Sequence, residues 1–286
     1  MDAKFSGAQA TIKAGDVEGL SAILERDPSL ATARSSVSHP TLLQCLVLRT
    51  ADVHNSRSMA QLLIDRGADI HQPLIAAASI DNVDMVQFLL DAGAAIDGDA
   101  RWSPLEEALY WSSQRSLRVL LAHGAAIKNL RTAAGVGPLD AVTRFFNDDG
   151  SLKPDAGVVE SPFKSLHIGA RARESQAIID NAFVYACMHG HIDIATYLLD
   201  RGALVDAIPA GFDYAGTALH YAAFQGHRAM VEFLLDRGAD PTVKDAKVNT
   251  TPANWADHRG HAQLRVLLEQ REQQWRDRLP GPAAES

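Results

Sequence analysis

The chain has 286 residues, 47% of them hydrophobic but only 6% aromatic, and carries a net charge of −8 from 27 basic and 35 acidic side chains. That is enough apolar material for a substantial core, in one elongated or two compact bodies, while the acidic balance gives no counterion-release affinity for DNA or RNA and argues against a nucleic-acid partner. The two cysteines, Cys45 and Cys187, form neither a zinc pattern nor a disulfide framework; no apolar run approaches the ~20 residues of a membrane span and the opening stretch lacks a signal-peptide pattern, so a cytoplasmic protein without membrane contact is expected.

Alanine and leucine dominate, which predicts closely packed helices. The first helical pair falls at 4–35, with GDVEGLSAILERDPSLA supplying its second helix. Further along, one pattern recurs: QLLIDRGADI (61–70), QFLLDAGAAI (87–96), RVLLAHGAAI (118–127), TYLLDRGALV (196–205) and EFLLDRGADP (232–241). Each closes an apolar helix on a glycine, which takes the left-handed conformation that ends a helix. Ahead of these lie QPLIAAASI (72–80), SPLEEALYW (103–111), TALHYAAFQGH (217–227) and TPANWADHRGH (251–261). Ser103 and Thr251 suit an N-cap, Pro104 and Pro252 a first helical turn. Ala76, Ala77, Ala222 and Ala223 let neighbouring helices approach. No such pair of helices buries its apolar face alone, so stability must come from stacking.

These residues resemble the ankyrin repeat family, whose unit is a β-turn and two antiparallel helices with a TPLHxA signature; Thr217–Ala222 departs from it chiefly at Ala218. The resemblance implies an all-α ankyrin-repeat solenoid of about eight helix-turn-helix units in a single domain, 1–279. The N-terminal cap is 4–35. The next units are about 41–71, 72–102 and 103–129. A degenerate fifth carries Phe145 and Phe146 where a leucine pair is expected. The sixth and seventh are 181–216 and 217–250, the C-terminal cap is 251–279, and 280–286 is read as a disordered tail. One long insertion, 147–180, separates units five and six. Loops of this length are functional or disordered; Phe163, Leu166 and Ile168 favour a segment that packs, against the alternative of a loose surface loop.

The resemblance also sorts the histidines. His191, His220, His227 and His261 sit on signature positions and are implied to be scaffold, joining neighbouring backbones through two ring nitrogens. The residues just before each Gly-His pair are implied to face a partner across a concave groove: Tyr110 and Trp111, Met188 and His189, Phe224 and Gln225, His258 and Arg259. Between them the small pair Gly135 and Val136 leaves room. Turn tips with Trp102, Phe212 and Tyr214 would border that groove. Large aromatics in a concavity suggest binding; the same side chains also serve as buried core.

Two functions follow. The first is a binding protein that recognises a protein partner through its concave groove and turn tips. The alternative is a small-molecule enzyme, an acid/base lyase, isomerase or hydrolase, with 147–180 closing over the groove. There His189 or His258 would act as acid or base beside Asp213, and Arg259, Arg171 or Arg173 would hold a small polar or anionic ligand. No metal or cofactor is expected, since there is no HExxH, no P-loop and no dinucleotide fingerprint.

Overall fold

In a computed structural model, described for residues 3–35, 41–49, 54–98, 102–163 and 173–278, the chain forms sixteen α-helices in eight antiparallel pairs. Among those residues there is no β-strand, only one bridge between Phe146 and Leu152. The expected contributions of Leu166, Ile168, Arg171 and the 280–286 tail lie outside the described residues. No described helix is long and apolar enough to cross a membrane. The chain divides into two compact units, Met1–Ala126 and Ile127–Ser286.

The first unit holds α1 (Ser6–Ala14), α2 (Val17–Arg26), α3 (Leu42–Val47), α4 (Ser56–Asp65), α5 (His71–Ser79), α6 (Val83–Asp91), α7 (Pro104–Tyr110) and α8 (Gln114–Ala122). The first helices of successive pairs pack as a row, α1 on α3, α3 on α5, α5 on α7. Local chemistry starts them. Thr41 accepts the Gln44 amide at 3.1 Å, and Ser103 and Glu106 form a reciprocal capping box. The leucine pairs explain the packing of the second helices. Leu63, Leu89 and Leu120 are fully buried while Leu62, Leu90 and Leu121 are half-buried. Each fully buried leucine contributes about 2 kcal/mol of hydrophobic stabilisation.

The second unit holds α9 (Leu130–Val136), α10 (Leu139–Thr143), α11 (Ser175–Met188), α12 (Ile192–Leu199), α13 (Ala218–Gln225), α14 (Arg228–Asp236), α15 (Pro252–His258) and α16 (Ala262–Arg278). Here α9, α11, α13 and α15 make the row of first helices. Leu198, Leu234 and Leu268 are its buried leucines. In the degenerate pair, α10 is only five residues long, and Phe145 and Phe146 are buried just beyond it. Phe146 meets Tyr197 edge-on at 5.5 Å.

The described parts of the long connection are packed at both ends. Its last residues, Ser175–Asp180, are the opening turns of α11. Upstream, Ala156, Val159 and Ser161 are buried. Arg131, on the first turn of α9, donates to the Val158 carbonyl at 2.6 Å and pairs with Glu160 at 3.1 Å. Both ends of that ion pair are shielded, so it clamps the segment onto α9.

Candidate functional site

The histidines at signature positions are hydrogen-bonding struts. His191, His227 and His261 precede α12, α14 and α16. Their Nε2 atoms reach the carbonyls of Gly135 (3.0 Å), Met188 (3.1 Å) and Phe224 (3.2 Å). Those carbonyls lie at the ends of α9, α11 and α13, where helices leave acceptors unmet. His220 is fully buried in the capping box of α13. Its Nδ1 accepts the Thr217 amide at 3.1 Å, so Nε2 carries the proton donated to the Thr250 carbonyl at 3.1 Å. Burial pushes the His220 pKa down to about 4, against the smaller opposing pull of the Thr250 hydrogen bond and the Asp245 charge. Asp245 is itself desolvated. Hydrogen bonds from Val248, Thr250 and Trp255 outweigh that cost and hold its carboxyl well below the usual carboxylate range.

In the second unit the expected partner-facing residues divide. Met188 and Phe212 are each only 2% exposed and are core, not contact surface. Phe212 lies between the rings of Tyr185 (5.2 Å) and Tyr221 (4.8 Å), so its loop folds inward instead of forming an open tip. Tyr214 stays exposed, with its ring edge-on to Trp255 and Lys247 over its face. Phe224 is half-buried; His258 stacks on it at 6.4 Å and Arg259 lies over it at 4.8 Å. His258 and Arg259 are exposed, and Gln225 is half-buried. Trp255, which the sequence reading did not single out, is the hub of this cluster. It touches Tyr214, His220, Tyr221 and Phe224, and its indole donates to Asp245 at 3.1 Å.

For acid–base chemistry the same unit offers little. His189 stacks on His191 at 6.3 Å, whereas His258 stacks on Phe224. Asp213, the carboxylate expected to assist a histidine base, is ion-paired with Lys247. Among the described residues no three His, Cys, Asp or Glu side chains gather as a metal site. Cys187 is fully buried, which pushes its thiol pKa up and away from reactivity.

The first unit contains a cleft of about 410 Å³, open to solvent, on its row of first helices. It is lined by Gln44 of α3 and Leu48 just after it, by Gln72 and Ile75 of α5 and Ile80 just after it, among others, and by Glu107 of α7 and Trp111 just after it. Trp111 is 49% exposed and Ile80 45% exposed, large apolar surface for side chains at the mouth of a cleft. Trp102 is only 8% exposed, which corrects its expected place as an exposed tip. It packs edge-on to Tyr110 at 6.3 Å, and Tyr110 packs edge-on to Trp111 at 5.3 Å. The two indoles converge on Glu107: Trp102 donates to Oε2 at 2.6 Å and Trp111 to Oε1 at 2.9 Å. Burial raises the Glu107 pKa; the two indole hydrogen bonds oppose the rise and the neighbouring Glu106 charge adds to it. The sequence reading passed over Glu107. The i,i+4 spacing from Glu107 to Trp111 was its available signal; the approach of Trp102 was not readable.

No curated protein matches this sequence as a relative. A family model described as ankyrin repeats in three copies matches residues 47–131 and 160–245, together well over half of the chain. With eight helix pairs, glycine-closed turns and His220 in its capping box, this match establishes that the chain belongs to the ankyrin repeat family.

Proposed function

We propose that the chain is a protein-binding module whose first unit engages its partner through the cleft on α3, α5 and α7. Ankyrin repeats are generally protein–protein interaction modules, and the observation that carries the proposal is the pair of solvent-facing side chains, Trp111 and Ile80, at that cleft. Exposed tryptophan beside a concavity is the residue type that dominates interface energetics. The exposed tip at Tyr214 and the His258–Arg259 pair on Phe224 are the corresponding contact candidates of the second unit. Catalysis at His189 and His258 draws no support from their separate stacking partners or from the pairing of Asp213 with Lys247.

A photo-reactive aromatic residue placed at position 111, which keeps a ring there, tests this reading, with one at the exposed position Arg118 of α8 as the comparison. Crosslinking to a partner from position 111 and not from 118 is expected. Equal crosslinking from both, or from 118 alone, would overturn it.

A further inference from the structure

We propose that the first-unit cleft recognises an arginine side chain on an extended segment of the protein partner, its guanidinium seated between the face of Trp111 and the carboxylate of Glu107. This rests on the reading of the cleft as a docking site and adds the chemistry of what docks there.

Charge is the first argument. Glu107 lines the cleft, yet the groups that contact its oxygens are two neutral indoles. Among the described residues no basic side chain pairs with it. The indoles hold the carboxylate in place without cancelling its charge, and burial makes that charge costly. Each carboxylate oxygen accepts two hydrogen bonds, so each keeps one acceptor site beyond its indole partner. A cation that enters the cleft meets a fixed, desolvated negative charge.

Geometry is the second. The Trp111 indole N–H is tied to Oε1 at 2.9 Å, and the ring is braced edge-on by Tyr110. The ring is therefore held beside the carboxylate with half its surface exposed. A cation over an indole face gains cation–π attraction, and a second gain from the adjacent carboxylate. Arginine suits this better than lysine. Its planar guanidinium is more weakly hydrated, stacks on aromatic rings and presents several donors in one plane. The rest of the cleft is uncharged, with Leu48, Ile75 and Ile80 positioned for apolar residues flanking the arginine and Gln44, Gln72 and Ser79 for polar contacts, and its volume of about 410 Å³ exceeds one side chain.

The test uses the full chain, ¹⁵N-labelled on its four tryptophans, and a five-residue blocked peptide, Gly-Val-X-Val-Gly. X is arginine, lysine, glutamine or glutamate. The indole N–H signals of Trp102 and Trp111 report on Glu107, while that of Trp255 serves as a control for folding. The arginine peptide should shift the first two signals and leave the third unmoved. Glutamine at X should weaken binding by about tenfold or more, the loss of one charge-assisted contact, with lysine between the two. Added salt should weaken the arginine peptide and not the glutamine peptide. In Glu107→Gln the arginine preference should vanish while the Trp255 signal persists. Equal binding of all four peptides, or an arginine preference that survives both salt and Glu107→Gln, would overturn the inference. If crosslinking still maps to position 111 in that case, the docking cleft stands and only its arginine chemistry falls.

Discussion

In the unit Met1–Ala126, the carbonyls at the ends of the first helices are met by short side chains. Asn55 reaches Gly15, Asn82 reaches Val47 and Ser113 reaches Ser79, at 3.0–3.3 Å. In the unit Ile127–Ser286, the same register positions hold His191, His227 and His261. The residue that turns the chain also differs. In the first unit Gly15 closes α1, but Asp81 and Ser112 occupy the later left-handed turns; in the second Gly137, Gly190, Gly226 and Gly260 do so. Size explains the pairing. A Cβ on Gly226 would lie 2.6 Å from the His261 ring, and one on Gly137 would lie 2.6 Å from that of His191. Where the strut is the short Ser113, Asp81 keeps its side chain and uses it to accept the Ser116 amide at the start of α8. What the repeats share is the bond from one repeat to the previous one; at Gly137 and Gly226 the bulky strut also fixes the turn residue, whereas at Gly15 the crowding comes from the His54 carbonyl.

The largest expected effect comes from the feature that the first unit lacks, the clamped connection. Arg131→Ala removes the guanidinium that pairs with the shielded Glu160, and should destabilise the second unit by about 3 kcal/mol. Hydrogen exchange should rise at 153–163 and α9, and α3–α7 should keep their protection. Equal loosening of both units would break the comparison.

Acid should sharpen it. The folded pKa of His220, about 4, lies below the ordinary 6.5, so the folded state binds fewer protons between those values. Its contribution is fully present above pH 6.5 and is lost as pH falls towards 4, by about 3 kcal/mol in all. Asp245, also depressed, adds a further loss below the ordinary carboxylate range. Exchange protection of α13 and α15 should therefore fall across this window before that of α5, and His220→Gln should flatten the pH dependence.

A smaller effect tests the size argument directly. Gly226→Asp should cost about 2 kcal/mol from the clash with His261, and His261→Ser about 1 kcal/mol from the lost bond to Phe224. The double variant should be more stable than the sum of the two by about 1 kcal/mol, read from denaturant midpoints. Strict additivity would mean that strut and turn are independent. The smallest effect belongs to the exposed surface: Trp111→Ala should change stability by about 1 kcal/mol or less while weakening partner crosslinking from a photo-reactive residue at position 80 of the same cleft.

Much of this was readable in the chain. Leucine pairs, glycine closures and Ser-Pro or Thr-Pro starts located the helix pairs, and the resemblance put the four signature histidines in the scaffold. The pattern of letters recognised struts only where they are histidine; Asn55, Asn82 and Ser113 perform the same role unannounced. Of the residues before the Gly-His pair that were expected to face a partner, Trp111, His258 and Arg259 are exposed whereas Met188 is buried. The turn-tip expectation likewise failed for Phe212, which Tyr185 and Tyr221 cover.

The sequence alone determined what depends on neighbours within a few positions: helix period, capping, and the glycines that close each helix. Tertiary structure decided what depends on residues brought from elsewhere in the chain. Arg131 clamps a segment 27–29 positions away, and Trp255 gathers rings from 214 to 224. Glu107 is held locally by Trp102 and Trp111, but the side chains that line a cleft around it come from residues 44–48 and 72–80. Exposure and charge compensation are properties of the packed assembly of helices, and no local pattern specifies them.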